Sequence, residues 1–256
     1  MSWNPFNRHN QPRKSIVSKT ATREFEREVT RIEDLDEAVK KLSKDMKKCT
    51  DAFSTMSKTE VKIAQDLATG NLCLHCGEDH LKADMDQWGH ALTKLDQHTQ
   101  DLNSVAQKTV MDPMKKLGSV FPSLQAAVKK REQSLQECNK CQARVEKYQD
   151  RERTGSNIAK LDQSKKALQT AKEEFETQNK LLQEDLPTFY EGRIGYIEPC
   201  FQALVLSQAH HIGEARKIYS EIYDSLTQQQ DLLITDDDDV IQSKLAEIRA
   251  LSIVVE

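Results

Sequence analysis

The sequence predicts an all-α protein built from three long antiparallel helices, and three observations predict it. Glycine and proline are scarce, at 8 and 6 in 256 residues, which leaves little material for the turns of a many-stranded β fold. Charged residues make up 30% of the chain and aromatic residues only 5%, a composition suited to long solvent-exposed helices. Apolar residues also recur at alternating steps of three and four, the mark of a coiled coil with one narrow apolar seam.

The first helix has a seam of Phe25, Val29, Ile32, Leu35, Val39, Leu42, Met46, Cys49, Phe53 and Met56. It continues through Ile63 and Leu67 and stops at Gly70-Asn71. Cys49 falls on this seam as core filler. The second helix opens behind a candidate N-cap, Asp79, with Leu81, Met85, Trp88, Leu92 and Leu95. It runs through Leu102, Val105, Leu117, Leu124, Val128, Leu135 and Cys138 to Val145 and Tyr148. Pro113 inside it is expected to kink the helix rather than stop it. After a break at "RTGSN" (153–157), a third helix is seamed by Leu161, Leu168, Phe175, Leu182 and Phe189. Pro187 and Pro199 are further expected kinks, and the helix fades near Gln228. The three helices span roughly 45, 70 and 70 residues, against a globular average near a dozen. The shorter first helix leaves part of the hairpin seam uncovered, and a second copy of the chain is the simplest cover.

The cysteines raise the question of zinc. "NLCLHCGEDH" (71–80) sets Cys73 and Cys76 beside His75 and His80, and a second C-x-x-C follows at Cys138 and Cys141. A structural zinc site needs four converging ligands, yet about 60 helical residues separate the two pairs, roughly 90 Å. The first pair therefore reads as part of a connecting loop, and the second as a seam residue and its neighbour. "DDDDVIQSKLAE" places Asp236, Asp238 and Glu247 at three positions of a calcium-loop template. Val240 and Ile241 stand where an oxygen ligand and a glycine are required, so the template fails. Glycine-rich phosphate loops and nucleophile elbows are missing, and His210-His211 has no catalytic partner nearby. Neither an enzyme nor a cofactor is expected.

No apolar run approaches the roughly 18 residues of a membrane span, and "MSWNPFNRHNQPRKS" lacks the apolar core of a secretory signal. A cytoplasmic protein with reduced thiols is expected. Its net charge of −4 is unevenly placed. Residues 1–20 carry four bases and no acid, residues 128–172 carry twelve bases against six acids, and residues 224–256 carry eight acids against two bases. The central bases include Lys129, Lys130, Arg131, Lys140, Arg144, Lys147, Arg151, Arg153, Lys160, Lys165 and Lys166. They read either as ordinary helix solvation or as an anion-binding surface. Stacking aromatics are scarce around them, which disfavours nucleic acid; an anionic membrane is the other candidate. Trp3, Phe6, Ile16 and Val17 lie among Arg8, Arg13, Lys14 and Lys19, a composition suited to an interfacial anchor.

"MDPMKKLGSVFPSLQAAVKKREQSLQ" (111–136) and "QARVEKYQ" (142–149) resemble the second helix of the amphiphysin and bridging-integrator BAR domains. "LLQEDLPTFYEGRIGYIEPCFQAL" (181–204) is similar to their third helix. The opening "MSWNPF" and the ending "SKLAEIRALSIVVE" resemble the family's short members without an SH3 domain. The resemblance covers nearly the whole chain. It implies an elongated, kinked three-helix coiled coil that pairs into a crescent-shaped homodimer with a six-helix central bundle. Such dimers bind anionic phospholipid membranes, sense or induce curvature, and link membrane to actin organisation, endocytosis and cell shape. The implied organisation is a basic N-terminal segment (1–21), a BAR domain (22–229) and an acidic tail (230–256).

The lipid-binding residues so implied are Lys129, Lys130 and Arg131, which match the family's basic run, and Arg151 and Arg153 at the tip between helices. Arg144, Lys147, Lys160 and Lys165 join them, and Trp3, Phe6, Arg8, Arg13 and Lys14 are expected at a membrane-inserting N-terminus. Actin-regulatory proteins and small GTPases are the implied protein partners. The sequence departs from the family at Glu137-Cys138, where relatives commonly have Asp-Tyr, and in the polar Asn4, Asn7 and Asn10 of the N-terminus. With no SH3 domain following, recruitment through proline-rich ligands is not expected. The competing expectation is a coiled-coil cytoskeletal linker without direct lipid binding, which would spread its bases evenly.

Overall fold

A computed structural model of the chain describes residues 16–70, 79–229 and 238–251. Among the described residues there is no strand. The helices are α1 (Lys19–Thr69), α2 (Asp79–Ala106), α3 (Asp112–Gly118), α4 (Phe121–Gln149), α5 (Gly155–Gln229) and α6 (Asp238–Arg249), with a π-helical turn at Gln107–Met111. Ser18 caps α1, its hydroxyl accepting from the Ala21 N–H at 3.1 Å. Thr154 plays the same part before α5, accepting from Asn157 N–H at 3.4 Å.

The long second helix of the sequence reading is thus broken. Pro113 has no N–H to donate to the carbonyl four residues back, and its ring crowds that turn. The π-turn sits immediately upstream, and the Tyr196 hydroxyl donates to the Pro113 carbonyl at 2.9 Å. A second interruption at Ser119-Val120 was not expected. Gly118 ends α3, and Pro122 opens α4 where a missing N–H costs nothing. By contrast α5 stays helical through Pro187 and Pro199.

The chain divides into two compact units, residues 1–52 with 103–207 and residues 53–102 with 208–256. The core of the first unit gathers Phe25, Ile32, Leu35 and Val39 of α1 around Val110, Met114, Leu117 and Phe121, closed by Leu182, Leu186 and Cys200 of α5. Phe121 is fully buried and meets Phe189 edge-on at 5.7 Å between ring centres. Beyond it, Cys138, Cys141 and Val145 of α4 pack on Leu168 of α5. In the second unit Ala64 of α1 and Ala91, Leu92 and Leu95 of α2 pack against Ile218 and Ile222 of α5. A Cβ on Gly89 would lie 3.8 Å from that of Ala64, so small residues set this close helix approach.

One part of the α1 seam differs from its sequence reading. Leu42 and Met56 are exposed, while Ser43 and Thr50 face inward and Ser57 is buried. The inward polar positions are satisfied. Ser43 Oγ donates to the Val39 carbonyl at 2.8 Å and Thr50 Oγ1 to the Lys47 carbonyl at 2.9 Å, both in the first unit, and Ser57 Oγ donates to Asp96 Oδ1 at 2.7 Å in the second.

Candidate functional site

The basic surface expected from the sequence falls within the first unit and is carried by α4, the 150–154 loop and the start of α5. Lys129, Lys130, Arg144 and Lys147 are exposed on α4, Arg151 and Arg153 on the loop, and Lys160 and Lys165 on the first turns of α5. None of these eight forms an ion pair among the described residues. Lys140, by contrast, is engaged with Glu137 at 3.3 Å. The expected N-terminal residues Trp3, Phe6, Arg8, Arg13 and Lys14 lie outside the described residues.

Arg131 is a correction. It is only 4% exposed and does not belong to the surface. Its guanidinium lies 4.0 Å from the centre of the Phe25 ring and 5.1 Å from that of Phe175, while Nε and Nη2 both donate to Asn179 Oδ1, at 2.9 and 2.8 Å. Arg131 therefore ties α4 to α1 and α5 through two aromatic faces and one amide. Desolvation lowers its pKa from the usual arginine value, with Glu132 and Glu26 working the other way. The run Lys129-Lys130-Arg131 reads as one basic patch in the sequence, but a helix turns successive residues through about 100° and buries the third.

Two grooves border the bases. The first, about 200 Å³, is lined by Val29, Ile32, Leu124, Val128 and Leu186, with Gln125, Lys129 and the carboxylates of Glu33 and Glu132. Lys129 thus shares its groove with two acids. The second, about 250 Å³, lies between α4 and α5 and is lined by Cys141, Arg144, Tyr148, Lys160, Gln163, Ser164 and Ala167, with no carboxylate among them. Arg151 stacks over the Tyr148 ring, 5.4 Å from its centre.

Apolar side chains are also left uncovered. On α5, Ile194, Phe201 and Val205 in the first unit, and Ile212, Tyr219, Tyr223 and Leu226 in the second, are exposed at steps of three, four or seven. Within each unit that spacing keeps them on one helical face. Leu42, Met56 and Ile63 of α1 are exposed at multiples of seven as well. Phe201 and Ile212 keep 63% and 66% of their surface open.

Among the described residues no group of three or more His, Cys, Asp or Glu side chains could hold a metal ion; Cys73, His75 and Cys76 lie outside them. Burial pushes the Cys138 and Cys141 thiols above the usual cysteine pKa, so both are protonated packing residues at neutral pH. No helix among the described residues is long and apolar enough to cross a membrane.

Comparison with known proteins places these features in context. The family model described as "BAR domain" matches residues 6–228. The chain is similar to "Bridging integrator 3" of Rattus norvegicus, at 44% identity over all of both chains. It is also similar to "Regulator of cytoskeleton and endocytosis RVS161" of Candida albicans, at 26% identity over 87% of this chain and 86% of the relative. Among solved structures, "Amphiphysin BAR domain from Drosophila" superposes with a TM-score of 0.63 at 18% identity, covering 83% of this chain and 98% of that one. The last likeness is one of fold.

Proposed function

The chain belongs to the BAR domain family, and from that membership we propose that it is a non-catalytic, homodimeric scaffold that binds anionic phospholipid membranes and shapes or senses their curvature. It acts at the cytoplasmic face of membranes, as a peripheral protein, in actin organisation and endocytosis. The name of the Candida relative, a regulator of cytoskeleton and endocytosis, supports that setting. Actin-regulatory proteins and small GTPases are its partners in this reading.

The observation that carries the proposal is the set of eight exposed bases from α4, the loop and α5, without ion-pair partners among the described residues. Each base brought to an anionic leaflet contributes about 1 kcal/mol. Two exposed bases thus account for a change of roughly thirtyfold in affinity. The exposed Ile194, Phe201 and Val205 of α5 support the homodimer, as an apolar face that a second copy would cover.

Co-sedimentation with vesicles tests the reading. Wild type should pellet with vesicles containing phosphatidylserine and not with neutral vesicles, and salt should weaken the binding. Lys129→Glu/Lys130→Glu and Arg151→Glu/Arg153→Glu variants, both with Arg131 intact, should each bind at least tenfold more weakly. Equal, negligible binding by all three proteins would remove the membrane function and leave the cytoskeletal linker. Phe201→Glu/Ile212→Glu should yield monomers in sedimentation velocity; an unchanged dimer would place the interface elsewhere.

A further inference from the structure

The second unit carries two apolar stripes that the fold leaves open. On α5, Ile218 and Ile222 turn into the core, while Tyr219, Tyr223 and Leu226 beside them are exposed. A shallow groove of about 500 Å³ opens there, lined by Arg216, Tyr219, Ser220, Ile222, Tyr223 and Asp224. On α6, Ile241 and Ile248 are exposed and Leu245 between them is half-buried. Steps of four and three hold these three on one side of the helix. An isolated helix of 12 residues is marginal in water, and α6 has little else to hold it helical. Residues 230–237 connect α5 to α6, a length within the range that joins antiparallel helices.

We propose that α6 folds back onto the groove near the end of α5, as a strap over an apolar face that a second copy has to uncover before pairing. The two stripes match when the helices run antiparallel. Ile241 then falls opposite Leu226, Leu245 opposite Tyr223 and Ile248 opposite Tyr219, because steps of four and three on α6 meet steps of three and four on α5. Lys244 and Glu247, which pair with each other at 3.0 Å, come opposite Asp224 and within one turn of Arg216 in the same register. Both charges thus find opposite partners at the rim of the groove. An anionic leaflet suits α6 less well, because four consecutive aspartates (236–239) stand at its start. A short tether gives α6 an effective concentration in roughly the millimolar range at its own groove, so even weak docking in cis prevails over docking on a dilute second copy. Dimerisation then draws only on the open fraction, which lowers its apparent affinity. That consequence rests on the homodimer reading; the docking itself does not.

The test uses the full chain, with Ile241→Glu/Ile248→Glu to release the strap and Tyr219→Glu/Tyr223→Glu to remove its seat. The second variant leaves α6 unchanged in sequence, so the helix's own propensity is held constant. Circular dichroism and urea midpoints establish that both variants fold. Hydrogen exchange is followed at a concentration where the chain is monomeric, and wild type should exchange the amides of residues 240–249 about tenfold more slowly than either variant. In sedimentation velocity Ile241→Glu/Ile248→Glu should dimerise about tenfold more tightly than wild type. Exchange equal to wild type in either variant overturns the strap. Protection that appears only as concentration rises makes the contact one between copies and overturns docking in cis. Protection lost with unchanged dimer affinity overturns the competition with a second copy. A wild type that stays monomeric at every concentration, with α6 protected, overturns the homodimer and leaves the strap standing.

Discussion

Replacing Arg131 distinguishes a packing residue from a surface base. Arg131→Ala removes two charge-assisted hydrogen bonds to Asn179 that share one acceptor, together about 2–3 kcal/mol. It also removes the contacts with the Phe25 and Phe175 rings, about 2 kcal/mol in a desolvated setting. The expected loss is about 4 kcal/mol, which at a urea m-value near 3 kcal/mol/M lowers the midpoint by about 1.3 M. Arg131→Met fills much of the same volume and abolishes the desolvation of a charge that Glu132 and Glu26 only partly offset. Its cost should stay within about 1.5 kcal/mol. Lys130→Ala, at the exposed neighbour, should cost no more than about 0.5 kcal/mol. Urea titrations followed by circular dichroism, at one fixed protein concentration, report all three. An Arg131→Ala midpoint within about 0.2 M of wild type, together with weakened vesicle binding, would refute the assignment and return Arg131 to the lipid surface.

Other consequences are equally direct. Cys138 and Cys141 have folded-state pKa values raised above 9.0 by burial. Above the free-thiol pKa the unfolded chain loses these protons while the folded chain retains them, so stability falls as pH rises from about 8.5. Cys138→Ala, compared by thermal melts across that range, should show a shallower alkaline slope, although its melting temperature at pH 7 is lower. Ser57→Ala should cost about 1 kcal/mol in urea melts, because Asp96 loses one donor but keeps Gln100 at 2.6 Å. If the acidic C-terminal stretch, part of which forms α6, competes with lipid for the basic face, deleting residues 229–256 should raise vesicle affinity at low salt. Unchanged affinity dismisses the competition.

The helices were legible because their evidence is repeated many times along the chain. Phe25, Ile32, Leu35, Val39, Leu168, Phe175 and Leu182 were all seam residues in the sequence, and all are buried. The interruption at Ser119-Val120 was less visible, since only Gly118 and Pro122 mark it and a long apolar rhythm outweighs them. Charge was legible as composition but not as placement. Residues 128–172 announce a basic surface, yet nothing local separates Lys130 from Arg131. The signal lay elsewhere, in Phe25 and Phe175, which stand on other helices where their rings can cover a cation. The second groove was legible only in its parts. Arg144 and Lys160 stand out in the sequence, but Tyr148 reads there as a seam residue, and Gln163 and Ser164 carry no mark until α4 and α5 lie side by side.

The α1 seam shows why a strong apolar pattern can point two ways. Leu42, Cys49, Met56 and Ile63 keep a strict seven-residue spacing, but a straight α-helix of 3.6 residues per turn drifts about 20° with each heptad. From the middle of α1 onward Leu42, Met56 and Ile63 of the apolar line are exposed and Cys49 is half-buried, while their neighbours Ser43 and Thr50 are half-buried and Ser57 is buried. Polar side chains at the inward positions cost little, because each is short and finds a partner: Val39 O for Ser43 and Asp96 for Ser57. An exposed apolar line, by contrast, gains nothing within a single chain and is an aggregation hazard unless something covers it. The same reasoning applies to Phe201 and Ile212 of α5. The heptads that identify this sequence as a coiled coil therefore serve two ends: Phe25, Ile32 and Val39 of α1 build the core of one chain, while Leu42, Met56 and Ile63 stay exposed and open to a second copy.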